Sequence, residues 1–157
     1  MRRVSGFTLV ELVVTVAILS VLALGALPLA ELTVKRGKER ELREALRQIR
    51  SAIDDYKSAS IAGTVERAAD ASAYPMSLNL LVDGVIDRKD PNKLRKIYFL
   101  RRLPPDPMAD DAGAPADTWG LRSYASPPDN PQPGKDVYDV YSKSGGVGIN
   151  GVPYREW

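Results

Sequence analysis

Cysteine and histidine are both absent from the 157 residues, and aromatic residues make up only 7% of them. Without cysteine there is no disulfide framework and no thiolate nucleophile. Without histidine there is no Ser-His relay, no Cys/His zinc site and no imidazole pH switch. An excess of one charge is lacking too, since 22 Lys and Arg face 20 Asp and Glu for a net charge of +2. That balance is not one that binds nucleic acid through its phosphates. Arg2 and Arg3, both within residues 1–6, account for all of the surplus. The length suits one ordinary domain.

What the chain does contain is a long apolar run. Phe7 to Ala30 reads FTLVELVVTVAILSVLALGALPLA, with two arginines before it and a charged stretch from Glu31 after it. Leu12 to Ala30 alone rises about 28 Å as a helix, close to the hydrocarbon thickness of a bilayer. The positive-inside rule keeps the Arg2/Arg3 end cytoplasmic, although Lys35, Arg36, Lys38 and Arg40 on the other flank oppose it. A cleaved secretory signal fits less well, because the run is too long and Pro28 sits before the one tempting cut after Ala30. Glu11 is the residue in need of explanation. A carboxylate inside a bilayer costs roughly 2.5 to 3.5 kcal/mol on insertion scales, less near the interface. A cut between Gly6 and Phe7 would place a cationic α-amino group one helical turn away, in the same chain or in a neighbouring one, and such a pair would set register as buried polar groups do in coiled coils.

Gly6-Phe7-Thr8-Leu9-Val10-Glu11, between a short basic leader and an unbroken apolar helix, resembles the class III signal of type IV pilins and of the pseudopilins of type II secretion. The resemblance implies that a prepilin peptidase cuts after Gly6 and N-methylates Phe7, and that Glu11 guides subunit docking. Pro28 matches a proline that the family carries late in its membrane helix, and Ser20 stands where many members have glycine.

Beyond Ala30 the pattern becomes amphipathic. Leu42, Ala45, Leu46, Ile49, Ala52, Ile53 and Tyr56 recur at spacings of three and four, predicting one helix from Phe7 to about Ser60 with a buried stripe. Lys38, Arg40, Glu41, Arg43, Glu44, Arg47 and Arg50 fall mostly off that stripe, on a solvated face or one that contacts other subunits, with Glu39–Arg43 and Glu44–Arg47 or Glu44–Gln48 as helical neighbours. Gly63 opens a loop. Tyr74-Pro75 introduces a short helix ending near Gly84, and Lys96–Leu100 is an extended segment stopped by the prolines of Arg101–Pro107. Trp119–Ala125 and Asp136–Ser142 are the clearest strands. The expected fold is α+β, a long helix packed on a small antiparallel sheet. Its segments are a leader at 1–6, a transmembrane and assembly helix at 7–30, an amphipathic helix at 31–62 and a periplasmic globular region at 63–157.

Tyr74-Pro75, Arg101–Pro107, Trp119-Gly120 and Asp139–Ser142 are similar, in that order, to elements of the major pseudopilin of type II secretion. The function implied is a structural subunit that drives protein export. It would stand in the bacterial inner membrane by one pass, with its C-terminal domain in the periplasm, and homopolymerise into a periplasmic filament. Its implied partners are prepilin peptidase, minor pseudopilins, an inner-membrane platform protein and an assembly ATPase, with no nucleic acid. Two other readings stand beside it: a type IV pilus subunit, and a membrane-anchored periplasmic domain that does not polymerise. Type IV pilins often close a C-terminal loop with a disulfide, which this chain lacks the cysteines to form.

Major pseudopilins bind calcium in the loop after the last strand. Here residues 143–157 contain no aspartate, so Asn150, Glu156, Ser144 and carbonyls make a poor site, and Tyr154 and Trp157 are expected to pin the tail instead. Asp106, Asp110, Asp111 and Asp117 fit no standard calcium loop and read as a solvated turn. No cofactor or metal is expected, with calcium in the C-terminal loop left open as the weakly supported alternative. Paired acids such as Asp110/Asp111 and Asp136/Asp139 lack any marked cleft, and Gly145–Gly148 precedes no helix, so no enzymatic activity is expected.

Overall fold

The computed structural model describes residues 6–67, 71–109 and 113–157, and within the first helix it leaves the side chains of residues 24–28 undescribed. The chain divides into two compact units, Met1–Gly37 and Lys38–Trp157.

Helix α1 spans Leu9–Ile61, running through Pro28 and contributing to both units. It begins where the Thr8 hydroxyl accepts a hydrogen bond from the Glu11 amide at 3.2 Å. That bond satisfies one of the donors that a helix start leaves unpaired. Gly63, at φ 70°, turns the chain out of the helix in a backbone region that glycine enters without steric cost. The Thr64 amide then returns to the Ala59 carbonyl at 2.9 Å.

In the second unit every residue of the predicted stripe, Leu42 through Tyr56, is buried. It packs in one core with Leu81, Trp119, Val137, Val140 and Tyr154. Helix α2, Asn79–Asp83, buries Leu81, whose carbonyl receives the amides of Phe99 and Leu100. Strands β1 (Val85–Ile86) and β2 (Lys96–Ile97) form one antiparallel pair, and β3 (Trp119–Arg122) and β4 (Asp139–Ser142) another. Trp119 stands opposite Ser142 and Arg122 opposite Asp139.

The fold is therefore α+β, a long helix with antiparallel strands, but those strands form two separate pairs. Between them lies Arg101–Pro107, where three prolines remove backbone donors. The segment is held instead by burial of Leu103 and by the Trp119 indole, which donates to the Pro104 carbonyl at 2.9 Å. β3 and β4 are also shorter than the periodicity predicts. Past the Arg122–Asp139 pair the Ser123 amide donates to the Gln132 carbonyl and the Val137 amide to the Pro75 carbonyl, while the Asp136 carboxylate accepts the Tyr124 amide at 2.8 Å and the Ser123 hydroxyl at 2.9 Å, so the ladder rungs give way to other partners.

Candidate functional site

The candidate site is the start of α1. Gly6, Phe7 and Thr8 precede the first helical residue, and Phe7 is 80% exposed. Thr8 and Glu11 stand in the Thr-x-x-Glu spacing of a helix capping box, a signal present in the sequence and not drawn from it above. The structure shows the Thr8 half of that box. The Glu11 side chain is exposed and has no hydrogen-bond or ion-pair partner among the described residues.

From Leu9 to Leu22 the large apolar side chains are all exposed. The hydroxyls among them turn inward: Thr15 donates to the Leu12 carbonyl at 2.9 Å and Ser20 to the Val16 carbonyl at 2.8 Å. That leaves an outer surface that is apolar apart from Glu11. Among the described residues no helix is long and apolar enough to cross a membrane. The described side chains of the apolar run are those of residues 7–23, Leu29 and Ala30, and the expected span also includes residues 24–28. Pro28 falls there, so only its backbone, helical, is described, while Arg2 and Arg3 lie outside the described residues.

The acidic residues separate into distinct roles. Asp106 is buried, contrary to the solvated turn expected of it. It accepts the Ser142 hydroxyl at 2.6 Å and the Met108 amide at 2.8 Å, tying the proline segment to β4. Asp117 is exposed, and Asp110 and Asp111 lie outside the described residues. Asp139 pairs with Arg50 at 2.7 Å, and Arg50 also donates to the backbone oxygens of Val140 and Trp157. Arg50 thus faces its own domain, where the helical pattern alone had it on the outer face. Burial acts to raise the Asp136 carboxyl, and hydrogen bonds from Ser72, the Tyr124 amide and Ser123 outweigh it, holding it below its ordinary value. Among the described residues no group of three or more acidic residues is placed to hold a metal ion. In the loop after β4 the Asn150 side-chain oxygen accepts the Val152 amide at 3.1 Å, and the Ser144 hydroxyl accepts the Gly146 amide at 3.3 Å. Both oxygens thus brace turns within the loop.

A capped helix start, an exposed Phe7 before it and an unpartnered Glu11 amid apolar side chains are the features of a pilin-like protein. Residues 1–27 match the prokaryotic N-terminal methylation motif. The chain is 30% identical over 130 residues to type II secretion system core protein G of Pseudomonas aeruginosa, an alignment covering 76% of this chain and 84% of that protein. It belongs to that family, the type IV pilin-like major pseudopilins of type II secretion. No solved structure matches it.

Proposed function

We propose that the chain is cut between Gly6 and Phe7 by prepilin peptidase, methylated on Phe7, and polymerised through α1 into the pseudopilus that drives export. The observation that carries this reading is the Glu11 carboxylate, unpartnered among the described residues and surrounded by exposed apolar side chains. Such a surface is satisfied by lipid and then by neighbouring helices. Exchanging one apolar environment for the other gives little net hydrophobic gain, so packing and polar pairing set the geometry. Cleavage would create a cationic amine at Phe7, and the carboxylate of Glu11 is its partner within a subunit or between subunits. The exposed, non-helical Gly6–Phe7 bond supports access by a peptidase.

In this reading residues 7–30 anchor the precursor in the bacterial inner membrane with the globular region in the periplasm. The apolar sequence from Leu12 to Ala30, long enough for one pass, supports it. The subunit carries out no chemistry of its own and needs no cofactor. Assembly draws its energy from a cytoplasmic ATPase acting through a membrane platform protein, with minor pseudopilins as further partners.

The test is intact mass and N-terminal sequencing of the protein from native membranes, with and without the prepilin peptidase. The expected result is a chain beginning at N-methylated Phe7 only when the peptidase is present. A chain that retains Met1, or begins near Glu31, in both strains overturns the processing.

A further inference from the structure

At Ile149 and Tyr154 the loop after β4 turns hydrogen-bond donors towards Glu39 of α1. The Ile149 amide donates to Glu39 Oε1 at 2.8 Å, and the Tyr154 hydroxyl donates to the same oxygen at 3.1 Å. The other oxygen of Glu39 stands 3.6 Å from Arg43, one helical turn on. Glu39 is only 3% exposed, an unusual place for a carboxylate unless its lone pairs are used. A divalent cation asks for the opposite arrangement, a concave set of oxygen acceptors.

Aromatic contacts brace the same loop. The Arg43 guanidinium lies 4.3 Å from the Trp157 ring centroid, and Tyr154 meets Trp157 edge-on at 5.1 Å. Arg50 holds the Trp157 backbone oxygen at 2.8 Å. Burial, then the hydrogen bond and negative charge of Glu39, push the Tyr154 hydroxyl up from its ordinary value, which keeps it a donor.

We infer that Glu39 closes the C-terminal loop in place of a bound cation: its carboxylate, supplied by α1 from outside the loop, clasps Ile149 and Tyr154 to the helix. The globular unit then holds this loop without calcium. The inference stands on contacts within residues 38–157 and is independent of processing or polymerisation.

The test is amide hydrogen exchange and thermal unfolding of the full chain in detergent micelles, in EGTA and in calcium chloride. Protection of the segment around Ile149–Tyr154 and the Tm are expected to be the same in both. Glu39→Gln, which keeps the shape and removes the charge, is expected to lower that protection roughly tenfold or more in both. Tyr154→Phe, which deletes one hydroxyl, is expected to lower it by less while residues 45–56 of α1 stay protected. Calcium-dependent protection or Tm in the unaltered chain overturns the inference, as does Glu39→Gln protection equal to that of the unaltered chain. Should Glu39→Gln not fold, Tyr154→Phe decides: undiminished protection overturns the clasp.

Discussion

Asp106 and Ser142 are both buried, and the hydroxyl of one meets the carboxylate of the other at 2.6 Å. A short bond to an ionised acceptor is worth more than a neutral one, and deleting the acceptor leaves the donor stranded. Asp106→Ala is therefore expected to cost about 1.5 to 3 kcal/mol, read from denaturant unfolding. Asp136 makes a pH-dependent contribution. Its folded pKa lies below its ordinary value, so its stabilisation is present above that value and is lost as pH falls through the folded one. Between about pH 5 and about pH 3 the unaltered chain is expected to lose stability more steeply than Asp136→Asn. A matching slope for the two would remove Asp136 from the acid response.

At the scale of the element, the buried stripe of α1 carries the packing and its outer face does not. Ile49 is fully buried, whereas the Arg47–Glu44 pair is exposed on both sides. Ile49→Ala is expected to destabilise by about 2 to 5 kcal/mol through lost transfer and a cavity. Arg47→Ala is expected to change stability by at most about 1 kcal/mol, since exposed ion pairs contribute little. In the β3–β4 pair, Gly120 faces Tyr141, and a Cβ at residue 120 would run into that ring. Gly120→Ala is expected to cost about 1 to 3 kcal/mol by overpacking, and a variant as stable as the parent would show that the ring moves aside. The stripe was legible because a period of three to four residues needs no knowledge of the partner surface. The strand ends were not, because the amides beyond the ladder find partners distant in sequence: Val137 at the Pro75 carbonyl, and Tyr124 at the Asp136 carboxylate 12 residues along the chain.

For the whole molecule the division into two units separates the folded core from the N-terminal segment that the proposed assembly would use. Among the described residues the buried hydrophobic core residues all lie from Leu42 onward. Glu11→Ala is expected to abolish filament assembly, scored by crosslinking or electron microscopy, while the globular unit unfolds at the same denaturant midpoint. Retained assembly would remove Glu11 from subunit docking, and the absence of filaments from the unaltered chain would favour the membrane-anchored domain that does not polymerise. The methylation motif matched by residues 1–27 was readable from sequence because its parts are local: a short leader, Gly6-Phe7 and Glu11 fall within one short stretch. The helix, its stripe and the two main strands were readable for the same reason, since each is a periodic signal along the chain. Tertiary structure alone decided what Glu39, Arg50 and Asp106 do. As local pattern, Glu39 and Arg50 belong to a charged helix face and Asp106 to a polar turn. Their partners Ile149, Asp139 and Ser142 lie 110, 89 and 36 residues away, and only the folded packing brings each pair together.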